Sequence, residues 1–85
     1  MGKRYTYEEF LGIIKALRSE NGCPWDREQT HDSLRPCIME EAAEFVAAIR
    51  IYHKTGNAEN MCEELGDLLL QIVMHSEIAD EEGLF

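Results

Sequence analysis

Two long runs with helical periodicity meet at His53-Lys54-Thr55-Gly56-Asn57, and this junction limits the fold more than any other stretch. Gly and Asn are the residue types that tolerate the left-handed backbone closing a helix. The pattern predicts one helix over about residues 33–52 and another over about residues 57–80, folded back as an antiparallel hairpin. Each arm carries an acidic cluster, Glu40-Glu41-Ala42-Ala43-Glu44 on the first and Glu63-Glu64-Leu65-Gly66-Asp67 on the second. Residues three apart are neighbours on one helix face, so Glu41 points with Glu44 and Glu64 with Asp67. The clusters stand about 13 residues before and 10 after the centre of the turn, and at about 1.5 Å per residue they face each other within about one turn.

Four acids meeting on a helix–helix seam repel one another unless a cation joins them. Like charges at this spacing cost a few tenths of a kcal/mol per pair on an open surface, and more where water is excluded. Lys54 and Arg50 are too few to neutralise four carboxylates. The pattern points to a hard divalent cation, most simply Mg²⁺, with Mn²⁺ an alternative. A di-iron bundle would need Glu-x-x-His pairs on two helices. Only Glu28–His31 has that spacing, and it falls in a loop region. The alternative reading of any single Glu is a solvated helix face, and it is the expectation for Glu59, Glu77, Asp80, Glu81 and Glu82.

In the first arm Ile38, Ala42, Phe45, Ile49 and Tyr52 form a packing stripe, with Ala43, Ala47 and Ala48 allowing close approach. Pro36 is expected in the first turn, where a missing N–H costs nothing. In the second arm Leu65, Leu69, Ile72, Ser76 and Ala79 form a stripe that Leu68, Val73 and Met74 broaden, so this helix is expected to be buried on two sides. Gly66, costing about 1 kcal/mol relative to Ala inside a helix, suggests that a backbone or ligand comes close there.

Upstream, Phe10, Ile13, Ile14 and Leu17 share a face of a helix predicted over residues 7–19, with Glu8, Glu9, Lys15 and Arg18 opposite. Thr6 and Glu9 fit a capping box, and Asn21-Gly22 ends the helix. In Cys23-Pro24-Trp25-Asp26, Pro24 breaks the helix and Asp26 is placed to cap a short turn from Arg27. Composition alone favours a packing role for Trp25 at the open end of the hairpin.

The chain has 85 residues, the size of one small domain whose core alone is modest, so burial of a face against a second copy is expected. Its net charge of −9 argues against nucleic-acid polymers and membrane surfaces, which call for basic patches. Cys23, Cys37 and Cys62 have neither disulfide-framework nor zinc-motif spacing, and read as reduced thiols of a cytoplasmic protein. Met1-Gly2-Lys3-Arg4 opens no signal peptide and, despite Thr6, is discounted as a myristoylation site; no run approaches a membrane span.

Asn21-Gly22-Cys23-Pro24-Trp25-Asp26, Glu40-Glu41-x-x-Glu44 and Glu64-Leu65-Gly66-Asp67-Leu68-Leu69 together closely resemble the MazG family of nucleoside triphosphate pyrophosphohydrolases. The resemblance runs from about Phe10 to Phe85 and includes Glu81-Glu82-Gly83. It implies one all-α MazG-like domain over residues 1–85, a helical hairpin plus an N-terminal helix assembling as a dimeric or tetrameric bundle. It also implies Mg²⁺-dependent cleavage of a nucleoside triphosphate to the monophosphate and pyrophosphate. Carried over by position, Glu41, Glu44, Glu64 and Asp67 are expected as metal ligands, and Glu41 is also counted with Glu40 as catalytic. Glu40 is expected as an outer acid or as a base orienting the attacking water. The resemblance moves Trp25 to a pocket-lining role, with Asp26 and Lys54 as further substrate-binding candidates. One departure matters: the family continues into a further helix with a basic Arg-Arg-His-Pro-His-like segment that these 85 residues do not contain. Either they are part of a longer protein, or a short member borrows basic groups from its partner. The alternative is a catalytically silent helical module that keeps the scaffold for dimerisation or regulation.

Overall fold

The computed structural model describes residues Thr6 to Phe85, so the readings made on Met1–Arg4 lie outside the described residues. The described chain is all-α: α1 (Tyr7–Leu17), α2 (Pro24–Glu28), α3 (His31–Thr55) and α4 (Glu59–Glu81). It forms two compact units, one from residues up to Thr30 together with Val73–Phe85, the other His31–Ile72. The helix α4 supplies residues to both.

In the first unit, α1 starts at the expected capping box. The Thr6 side chain accepts from the Glu9 backbone N–H at 3.1 Å, and the Glu9 carboxylate accepts from the Thr6 N–H at 3.0 Å. The helix closes where the chain wraps back, with the Cys23 N–H donating to the Leu17 carbonyl at 2.8 Å. Gly22 is obligatory at this return, because a Cβ there would overlap the carbonyl oxygens of Ala16 and Leu17. Pro24, not Arg27, begins α2, and Cys23 is its N-cap with no side-chain cap, so Asp26 lies inside the helix. A proline in the first helical position gives up only an N–H that has no partner there. Ile14, Val73, Met74, Ile78 and Ala79 are buried.

Arg18 departs from its expected place on the polar face. It is buried, and its guanidinium donates from Nε and Nη2 to the two oxygens of Glu81 at 2.8 and 2.9 Å. Its Nη1 donates to the Asp26 and Gln29 carbonyls at 2.6 and 3.0 Å. Glu77 is likewise no solvated acid. It is buried and takes an ion pair from Lys15 at 3.1 Å, which also approaches Asp80 at 3.5 Å. Arg18 holds the Glu81 carboxyl below the usual carboxylate range by hydrogen bonding, against the opposing effect of burial.

The second unit is the helical hairpin. Gly56 takes φ +75° and its N–H donates to the Tyr52 carbonyl at 2.8 Å, so the expected helix stop is realised. Asn57 caps α4, its Oδ1 accepting from the Glu59 N–H at 2.9 Å. Because α3 begins at His31, Pro36 sits inside the helix and not in its first turn, which deprives the Asp32 carbonyl of its usual donor. On α3 the inward positions are Leu34, Ile38, Glu41, Phe45, Ala48 and Ile49, while Ala42, Ala43, Ala47 and Tyr52 are exposed. On α4 they are Met61, Glu64, Leu68 and Gln71. Of the expected broad stripe, Leu68 is half-buried and Val73, Met74 and Ala79 are buried, while Leu65, Leu69 and Ile72 are 51%, 42% and 48% exposed within the chain. A Cβ on Gly66 would meet open space, so no close approach explains that glycine within the chain.

Candidate metal centre

The inward stripes of the hairpin named above are apolar except where the acids and Gln71 stand. Glu41 on α3 and Glu64 on α4 occupy half-buried seam positions, and Asp67 lies one turn beyond Glu64 at the exposed edge. One carboxylate oxygen from each of Glu41, Glu64 and Asp67 falls within 4.8 Å of the others. Glu44, exposed one turn after Glu41, acts on the carboxyls of both Glu64 and Glu41.

The titration of these groups has a common cause. Burial first, then the hydrogen bond and charge of Glu44 and the charges of Asp67 and Glu41, push the Glu64 carboxyl up to about 7. Burial also raises Glu41, with Glu44, Asp67 and Glu40 adding repulsion. All these effects act in one direction, as expected for acids gathered without a cation.

The residues fit a divalent cation on two counts. Glu41 Oε2 and Glu64 Oε2 are buried and have no hydrogen-bond partner, a state that costs free energy unless something positive meets them. The donor set is all oxygen, which suits Mg²⁺ or Mn²⁺ better than zinc. Opposite ligands of a Mg²⁺ ion stand about 4.2 Å apart, so modest side-chain movement closes the set.

The other expected site residues are not among the three whose oxygens gather. Glu40 is exposed, and its charge acts on Glu41. Lys54 is exposed in the last turn of α3, about 15 Å along the axis from Glu44. Trp25 and Asp26 belong to the first unit. Trp25 is 61% exposed on α2, so it does not plug a core, and Asp26 offers its carbonyl to Arg18. Sequence reasoning passed over Gln71, whose Oε1 is also buried without a partner; the available signal was a polar residue three places after Leu68 on the Glu64 face.

Fold and cluster together define the class: an all-α chain whose long hairpin gathers carboxylates from both arms. Residues 29–85 match the model of the MazG nucleotide pyrophosphohydrolase domain, and the chain belongs to that family. It is 49% identical over 79 residues to the nucleoside triphosphate pyrophosphohydrolase/pyrophosphatase MazG of Thermotoga maritima, covering 93% of this chain and 29% of that protein. It is 42% identical over 79 residues to the nucleoside triphosphate pyrophosphohydrolase of Escherichia coli, covering 92% of this chain and 28% of that protein. With the protein of that same name from Mycolicibacterium smegmatis, it shares 50% identity over 71 residues, 84% of this chain and 20% of that protein. The chain thus spans less than a third of the length of these relatives.

Proposed function

We propose that this chain is a MazG domain that hydrolyses nucleoside triphosphates to the monophosphate and pyrophosphate with Mg²⁺. The observation that carries the reading is the pair of buried, unpartnered carboxylate oxygens on Glu41 and Glu64, from opposite arms of one hairpin. The names of the relatives supply the reaction class. Glu41, Glu44, Glu64 and Asp67 would hold the cation, with Mn²⁺ as a substitute. When bound, the ion supplies positive charge to phosphate oxygens and acidifies a water suited to attack near the α–β linkage. Glu41 would hold the ion from the seam itself, where it is half-buried. Glu40, about 100° around α3 from Glu41, would accept a proton or orient the water from outside the ligand set. Trp25, Asp26 and Lys54 are assigned to substrate binding, the indole for stacking and the ammonium for phosphate charge. Further cationic groups for a triphosphate would come from elsewhere in a longer protein or from a partner copy.

The exposed row Leu65, Leu69 and Ile72 on α4 supports assembly as a homodimer or homotetramer, because an apolar row of that size is costly to leave in water. No helix among the described residues is long and apolar enough to cross a membrane, and a cytoplasmic location is part of the proposal.

The test is direct. Incubate the chain with a nucleoside triphosphate and Mg²⁺, identify the products, and record the thermal midpoint in EDTA and across a Mg²⁺ titration. A ligand bound only by the folded state stabilises by about 2.7 kcal/mol at a hundredfold excess over Kd. Pyrophosphate release, together with a saturable midpoint rise that Asp67→Asn abolishes, is the expected result. Orthophosphate as the product, or a midpoint indifferent to Mg²⁺, sinks the proposal.

A further inference from the structure

The inward stripe of α4 in the hairpin runs Met61, Glu64, Leu68, Gln71, all half-buried. A stripe of this kind normally takes apolar residues, and Leu or Met would fill the position of Gln71 without polar cost. Instead Gln71 places its amide oxygen where it is buried and has no donor. It shares that condition with Glu41 Oε2 and Glu64 Oε2. Three oxygens on one seam are thus desolvated with nothing in the chain to offset the cost.

Helix geometry relates them. Gln71 follows Asp67 by four residues, so the two are vertical neighbours about 6 Å apart along the axis. Side chains on an α-helix lean toward its N-terminus, which tilts Gln71 back over the turn carrying Asp67 and Leu68. An ion bonded at about 2.1 Å keeps several of its waters, and each water reaches a further acceptor about 2.8 Å away. Gln71 is therefore at the right remove for the outer layer of the cluster, though not for its centre. Its neutrality suits the position: a fifth carboxylate would add to the repulsion already raising Glu41 and Glu64, while an amide oxygen accepts without charge.

We propose that Gln71 is a positioning residue of the carboxylate centre, its Oε1 accepting a hydrogen bond from a water carried into the hairpin by the divalent cation. The proposal rests on the cation reading above and adds a residue to it. It accounts for a polar group kept on an inward stripe at the expense of the unliganded fold.

The experiment uses the whole chain with MgCl₂ alone as the probe. Thermal midpoints in EDTA and Mg²⁺ affinities by calorimetry are measured for the parent, Gln71→Met and Gln71→Glu. Gln71→Met removes the stranded acceptor at nearly constant volume. Its midpoint in EDTA is expected to rise by a few degrees while its Kd for Mg²⁺ weakens by about fivefold or more. Gln71→Glu is expected to do the reverse, lowering the EDTA midpoint and tightening Mg²⁺. A Gln71→Met chain that is less stable in EDTA, fails to fold, or binds Mg²⁺ within about twofold of the parent overturns the proposal. In the last case the parent still binds Mg²⁺, so the cation reading survives. A parent that does not bind Mg²⁺ overturns both.

Discussion

Arg18→Lys is a substitution that keeps charge and approximate length, and it isolates what the guanidinium contributes. Arg18 makes four hydrogen bonds in two directions: two from Nε and Nη2 to Glu81, and two from Nη1 to the carbonyls of Asp26 and Gln29. A lysine ammonium is a single point and cannot reproduce the planar fork. At most it keeps one direction, so two charge-assisted bonds are lost at about 1.5–3 kcal/mol each. The Glu81 side chain is 40% exposed, and the half of the network that faces it is discounted for solvent screening. The net expectation is a loss of about 2–4 kcal/mol, which for a domain of this size lowers the thermal midpoint by roughly 10–25 °C. Far-ultraviolet circular dichroism is the suitable probe, since Trp25 is largely exposed and reports poorly on the core. The acid limb gives an independent check. Glu81 is held below its usual range, so its contribution is complete above the ordinary carboxylate value and lost as pH falls through the lowered one. Glu81→Gln should shrink that acid-side loss. An Arg18→Lys chain within about 0.5 kcal/mol of the parent refutes the reasoning, because surface substitutions fall in that range.

Two further outcomes are expected. Glu64 is raised to about 7 in the folded state, so the folded chain holds a proton more tightly than the unfolded chain. In EDTA the thermal midpoint should therefore fall as pH rises from about 5 to 8, and Glu64→Gln should flatten that slope and raise the midpoint at the alkaline end; a parent midpoint that climbs over this window contradicts the assignment. Gly66→Ala meets open space inside α4 and should stabilise the isolated chain by about 0.5–1 kcal/mol in urea unfolding. A destabilisation instead would show that something outside the chain packs against that position.

Several elements were legible in the sequence because their causes are local. The capping box at Thr6 and Glu9, the stop at Gly56 and the pairing of acids across the turn each depend on residues a few places apart or on helix arithmetic. Which face of α4 turns toward α3 was not legible, for a specific reason. On α4 the apolar residues are spread around most of the helix, so periodicity selects no single face. The face turned inward is the one that carries Glu64 and Gln71, which a hydrophobicity rule rejects. Sites that break such a rule are where local pattern and function conflict. Arg18 and Glu81 were assigned to solvent because each sits on a polar face of its own helix, and they meet across 63 residues of sequence. Pro36 was misplaced by two residues of helix extension at His31, a boundary error that changes its meaning from a helix start to an interior break. In the candidate site, spacing and resemblance had already named Glu41, Glu64 and Asp67, whose oxygens the structure gathers, whereas the burial of individual oxygens on Glu41, Glu64 and Gln71 depends on atomic positions.

The helix α4 changes character along its length. Up to Ile72 it is buried on one stripe, and from Val73 to Ala79 it is buried on most sides. Amide protons of a single helix usually fade in protection only at its ends. Here the backbone N–H groups of the hairpin portion belong to a unit with few fully buried residues, and those after Val73 to one that holds most of them. Exchange measured residue by residue along α4 should therefore show a step near Ile72, not a gradient. That step would let the opening of the hairpin be timed separately from the loss of the rest, within one continuous element.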